Sequence, residues 1–175
     1  YNKNNKIIGN TALSHTVQKK FIECSRLLIQ FNCDTNQRCA DGFSALHSSI
    51  VSGCFDTVRL LTKNGASPFF KGSQGFNPLH TAVAGGRKGL VILLLNEMLE
   101  NKDLKEINAT TDYGQTALHI ACHEGHLGCV RLLLQYGCDF SFKDFKSRTA
   151  IDLAITRGHI KCVKVKFLFF FFFFF

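Results

Sequence analysis

The chain lacks most of the short phrases that announce chemistry. It has no glycine-rich phosphate loop, no Gly-x-Ser-x-Gly nucleophile phrase, and no Cys set apart with a His and an Asn. These absences argue against nucleotide hydrolysis and acyl transfer, and the expectation is a chain that is not an enzyme and needs no cofactor. No Cys-x-x-Cys pair occurs among its 8 cysteines, which removes the commonest zinc and redox spacing. No apolar run reaches the roughly 18–20 residues a membrane span needs, and the N-terminus carries no secretory signal, so no membrane insertion is expected. The expected setting is soluble and intracellular, in the cytoplasm first and the nucleus second. Acidic residues are also scarce, 13 against 21 Lys and Arg, for a net charge of +8. The surplus cations, among them Lys3, Lys6, Lys19, Lys20, Lys161 and Lys164, sit toward the ends rather than in an aromatic-interleaved motif, so no nucleic-acid partner is expected.

What the chain does have is one phrase repeated: Thr11-Ala12-Leu13, Ser44-Ala45-Leu46, Asn77-Pro78-Leu79, Thr116-Ala117-Leu118 and Thr149-Ala150-Ile151. The third residues are spaced by 33, 33, 39 and 33 positions, and a fixed period of this size specifies stacked units rather than one closed core. Thr11, Ser44, Asn77, Thr116 and Thr149 each offer a side-chain oxygen to an unpaired amide of a first helical turn, and Pro78 stands where a missing N–H costs nothing. Gly53, Gly86, Gly125 and Gly158 follow seven residues after the phrase leucine and end that short helix; Lys20 stands at the equivalent place in the first copy. A second helix follows, apolar at three- and four-residue spacing, as in Phe55, Val58, Leu61 and Leu127, Val130, Leu134. Asp41-Gly42, Gln74-Gly75 and Tyr113-Gly114 then turn the chain back toward the next cap. The long interval between Leu79 and Leu118 predicts a lengthened second helix containing Leu95, Met98 and Leu99, then a polar loop around 101–105.

These residues resemble the ankyrin repeat: the TPLH-like phrase, the Gly-His pairs Gly125-His126 and Gly158-His159, and the turns Gly65-Ala66-Ser67 and Gly137-Cys138-Asp139 all match its pattern. The resemblance covers roughly residues 9–165 and implies an all-α fold, an ankyrin-repeat α-solenoid of helix-turn-helix units with projecting β-hairpin-like loops. It places repeats at about 9–38, 42–71, 75–110, 114–143 and an incomplete 147–165. Ser14 and Asp152 replace the usual His, and Lys20 and Ser147 stand at glycine sites. The Gly-His-x-x-Cys-Val signature at Gly125–Val130 and Gly158–Val163 further resembles long ankyrin scaffolds such as the regulatory ankyrin subunits of protein phosphatase 6. Residues 1–8 are expected to be the remnant of a preceding hairpin. The low-complexity tail of 166–175, which ends in the Phe run 169–175, is expected to be intron read-through that follows true coding sequence ending near Lys164, making the chain a fragment.

Two features could mislead. Cys24, Cys129 and Cys162 share one apolar register position, and Cys33 and Cys138 share another, so register explains these better than metal or disulfide chemistry. His119, Cys122, His123 and His126 have spacing that can bind zinc. His119 and His126, however, are repeat positions that recur as His47, His80 and His159. In ankyrin repeats the first of these rings links the cap threonine to the backbone of a neighbouring repeat, and no metal site is expected.

The resemblance implies a non-catalytic protein–protein interaction module, a scaffold or adaptor, which binds through its hairpin tips and the concave face of its first helices. The alternative is the ankyrin domain of a larger kinase, acyltransferase or cation channel. The variable positions on that strip are Phe43, Phe70, Lys71, Gln74, Phe76, Tyr113, Phe145, Lys146 and Arg148, and they form the candidate partner site. Its cations point to an acidic or mixed acidic-apolar segment of another protein.

Overall fold

The computed structural model describes residues 11–100 and 104–165. The expected hairpin remnant of 1–8 and the Phe tail of 166–175 lie outside the described residues. The chain divides between Ser73 and Gln74 into two compact units, each of which has its own core.

In the first unit, α1 (Ala12–Gln18) and α2 (Ile22–Gln30) form one helix pair, and α3 (Ala45–Ser52) and α4 (Phe55–Lys63) form the next. α1 packs on α3, and α2 on α4, so that first helices make one layer and second helices the other. Val17, Leu46, Ile50, Val58 and Leu61 are fully buried between the layers, each worth about 1.5–3 kcal/mol relative to exposure. The sequence starts these helices as the caps foretell: Thr11 Oγ1 accepts from Ser14 N at 3.1 Å. Lys20, at the glycine position, is held at φ 60°, a left-handed conformation that a side chain resists.

The second unit repeats the scheme with α5 (Pro78–Ala84), α6 (Lys88–Glu100), α7 (Ala117–Glu124), α8 (Leu127–Gln135), α9 (Ala150–Thr156) and a further helical segment, α10, over 160–165. α7 packs between α5 and α9, and α6 lies against α8. α6 has 13 residues where α2, α4 and α8 have 9, and buries Leu90, Val91, Leu94, Leu95 and Met98 along one face. The long interval is therefore absorbed first by an extra helical turn. A loop through Lys105 was expected, but a 3-10 turn, Leu104–Asn108, already begins at Leu104 and buries Ile107, which anchors the segment. Among the described residues the only β pairing is two isolated antiparallel bridges, Thr110 with Thr116 and Lys143 with Thr149, one at the base of each hairpin.

The histidines tie consecutive repeats together. His119 Nδ1 lies 2.9 Å from the cap Thr116 Oγ1, and its Nε2 lies 3.1 Å from Arg148 O. A carbonyl only accepts, so Nε2 carries the proton and Nδ1 accepts from the threonine. His80 spans Asn77 N and Ala109 O in the same way. Burial, the largest influence on His119, pulls its pKa below the ordinary value, which keeps the ring neutral as this pattern requires. A second set reaches the other way: His126 Nε2 donates to Ala84 O at 3.2 Å and His159 Nε2 to His123 O at 3.1 Å. Each such ring lies over the preceding repeat's glycine. A Cβ on Gly125 would come within 2.5 Å of the His159 ring, so that position needs glycine for space as well as for its φ of 73°.

Where the pattern departs, the chain substitutes chemistry of the same kind. Asp152 Oδ2 accepts from both Thr149 N and Thr149 Oγ1 at 2.8 Å, doing at the helix start what the histidine ring does elsewhere. Ser14 Oγ instead shares a buried 2.9 Å hydrogen bond with Ser48 Oγ. Register did not foretell the fate of Cys24. It is exposed, although its register partners Cys129 and Cys162 are buried, because no described element covers the outer side of α2.

Candidate functional site

In the second unit two hairpins project beside the first helices, and each is shaped by one polar side chain. Thr111 Oγ1 accepts from Tyr113 N and Gln115 N, while Thr111 N donates to Gln115 O at 2.9 Å. Asp144 takes the same part more strongly: Oδ1 accepts from Lys146 N and Arg148 N, both at 2.9 Å, and Oδ2 from Arg148 Nε at 3.0 Å and Nη2 at 2.7 Å. Burial, the largest influence on Asp144, pushes its pKa upward, but these donors together outweigh it and hold the carboxyl below the ordinary range. The tips then lock to one another, with Asp112 N donating to Gln74 O at 3.0 Å and Phe145 N to Tyr113 O at 3.2 Å.

This locking leaves two hollows along one face. A hollow of about 290 Å³ is lined by Tyr113, Gln115, Asp144, Phe145, Lys146 and Arg148. A second, of about 190 Å³, is lined by Phe76, Ala84, Gln115, Ile120, His123 and Glu124. Gln115 belongs to both, and among the described residues its carboxamide has no hydrogen-bond partner. At the far end Arg157 Nη2 donates to His123 Nε2 at 2.6 Å, so Nδ1 carries the proton and donates to Glu124 Oε1 at 2.9 Å. The face is therefore cationic at the Lys146 end and apolar across Phe76, Ala84 and Ile120, and at its far rim the Glu124 carboxylate is balanced by Arg157 through His123.

The expected partner residues divide between the two units. In the first, Phe43 and Phe70 are half-buried and flank the His47 ring, with centroids at 5.0 Å and 6.1 Å. The Arg38 guanidinium lies 4.8 Å over Phe70 and donates to Gly42 O and Lys71 O, so these aromatics brace the hairpins of their own unit. Lys71 is exposed. In the second unit Tyr113 is 52% and Phe145 78% exposed. Gln74 and Lys146 are exposed, and Phe76 is half-buried edge-on to His80 at 5.8 Å. Arg148 is spent largely on Asp144, which leaves Lys146 as the cation beside the larger hollow whose ammonium has no partner among the described residues.

Sequence reasoning missed Gln115, Ala84, Ile120, His123 and Glu124 as parts of this face. A signal for Gln115 existed, since it fills the position just before the cap where Phe43, Phe76 and Arg148 were picked out. Among the described residues no group of His, Cys, Asp or Glu could hold a metal ion, and all the cysteines are free. The zinc-like run is dismantled by its own bonds: His119 and His126 point to separate backbone carbonyls, and Cys122 is buried with its thiol pushed up to about 12. No described helix is long and apolar enough to cross a membrane.

Helix pairs, histidine-capped helix starts and stacked hairpins at this period leave one comparison to make, and the sequence model for ankyrin repeats (3 copies) matches residues 1–72 and 79–165. The chain belongs to the ankyrin-repeat family. Its relatives are varied. The human SH3 and multiple ankyrin repeat domains protein 2 is 30% identical over 159 residues, 90% of this chain and 8% of the relative. Alpha-latrotoxin-Lg1a of Latrodectus geometricus is 29% identical over 126 residues, 72% of this chain and 9% of the relative. The E3 ubiquitin-protein ligase XBAT33 of Arabidopsis thaliana is 34% identical over 131 residues, 71% of this chain and 24% of the relative. The chain thus spans no more than about a quarter of any of these relatives. Ankyrin repeats serve as protein–protein interaction modules, and the described residues here carry no catalytic constellation.

Proposed function

We propose that this ankyrin-repeat chain is a non-catalytic scaffold or adaptor module that binds a partner protein through the hairpin tips and first helices of its second unit. The observation that carries this reading is the pair of adjacent exposed aromatics, Tyr113 and Phe145, on tips held rigid by hydrogen bonds. Large exposed aromatics on a fixed backbone serve as compact interface anchors, since little side-chain freedom is lost when they are covered. Hollows of 290 and 190 Å³ fall below the roughly 300–1,000 Å³ of small-molecule sites, which favours side chains over a metabolite. The E3 ligase relatives favour a second reading, in which the same face recruits a partner to a longer protein with catalytic domains elsewhere.

Site-specific photo-crosslinking tests the location. A benzophenone side chain in place of Tyr113 or Phe145 is expected to capture a protein, and one in place of Arg131, exposed on α8, is expected to capture none. Adducts from position 131 alone would move the interface to the second helices.

A further inference from the structure

The two hollows differ in chemistry, and the difference names a partner. The smaller one is walled by the Phe76 ring, the Ala84 methyl and the Ile120 side chain, and it has room for a single aliphatic or aromatic side chain. The larger one is overlooked by the exposed Lys146, whose ammonium has no partner among the described residues, and by the exposed edge of Arg148, whose side chain is 37% exposed even while it holds Asp144. Between them lies the half-buried carboxamide of Gln115, without a hydrogen-bond partner among the described residues, which can both donate to and accept from a passing backbone.

We infer that the face takes an extended protein segment that carries an apolar anchor and an acidic residue, seated in opposite hollows. The anchor enters the Phe76–Ala84–Ile120 hollow, the carboxylate reaches Lys146 and the rim of Arg148, and Gln115 pairs with the segment's backbone between them. Charge sets which hollow takes which residue. Glu124, at the rim of the smaller hollow, is balanced by Arg157 through His123, so that rim offers an acid no net attraction, whereas Asp144 is neutralised by Arg148 and Lys146 leaves the larger hollow net cationic. An extended segment suits a face whose pockets hold one side chain apiece and whose central group reads backbone amides. This inference rests on the recognition reading above and adds the identity of what is recognised.

The test is selection of a random-peptide library on the full chain, followed by fluorescence-polarisation titration of the enriched peptides. The enriched peptides are expected to share an aliphatic or aromatic residue and an Asp or Glu. Ala84→Arg, which fills the smaller hollow from an exposed helical position, and Lys146→Glu are each expected to weaken binding by about tenfold or more. Replacing the peptide's acid with Lys should restore binding to Lys146→Glu while weakening it to the unaltered protein. Helicity by circular dichroism accompanies each variant, and Gln115→Ala, expected to weaken every enriched peptide, serves if Ala84→Arg is unfolded. Enriched peptides without the apolar-acid pair, or indifferent to all of these substitutions, would overturn the inference, as would a selection that enriches none. Peptides that lack the pair yet weaken with Tyr113→Ala would overturn the inference alone and leave the tips as the binding surface.

Discussion

Replacing Gly125 with alanine separates two reasons for a glycine that the sequence alone cannot tell apart. The residue sits at φ 73°, and a Cβ there would meet the His159 ring at 2.5 Å. The backbone strain of a left-handed alanine is about 1–2 kcal/mol. The clash adds to it, because the ring must leave and His159 Nε2 loses its bond to His123 O, worth about 1 kcal/mol, together with local packing. The total expected is about 2–4 kcal/mol. Gly137, in the same repeat, has φ 86° and nothing within 4 Å of its built Cβ, so Gly137→Ala carries only the strain. Urea unfolding followed by circular dichroism, with the slope unchanged, gives both values. In a His159→Ala background the cost of Gly125→Ala should fall back to the strain alone, a coupling that the double-mutant cycle reads directly. Equal costs at Gly125 and Gly137, or a cost at Gly125 unaltered by loss of His159, would refute the reasoning that histidines of one repeat seat on glycines of the one before.

Asp144→Ala should cost about 2 kcal/mol through the loss of charged hydrogen bonds, reduced by the exposure of Arg148. Because its folded pKa is lowered, its contribution is full at neutral pH and disappears as pH falls through that folded value, visible in a pH series of unfolding midpoints. His119 adds a dependence of the same direction at higher pH. Its folded pKa lies below the ordinary 6.5, so the unfolded chain takes up a proton first and stability drops as pH falls below about that value, with the slope lost in His119→Gln. Cys122 and Cys138, both pushed up to about 12 by burial, should stay silent toward a thiol reagent in the folded protein while exposed Cys24 reacts first; early reaction of Cys122 would contradict its placement.

The framework was legible because it rests on local chemistry: a cap oxygen, a glycine stop and a 3.6-residue apolar rhythm occur within one repeat and recur in the next. The lengthened α6 was legible for the same reason, since Leu95 and Met98 extend the rhythm. What sequence reading lost was contact between repeats. Nothing in the sequence showed that Asp144 holds the Arg148 guanidinium, or that Arg38 lies over the Phe70 ring with His47 edge-on to it. Cys24 looked like Cys129, because register records which side a residue faces and not whether a neighbour covers that side. Gln115 was overlooked because an unremarkable polar residue gains meaning only from the two hollows on either side of it.

The most direct measurement of the recognition face is backbone amide chemical-shift mapping of the full chain with an enriched peptide. Shifts concentrated at Ala84, Tyr113, Gln115, Phe145 and Lys146 are the result this account predicts. Shifts confined to α8, Leu127–Gln135, with those positions unmoved, would contradict it.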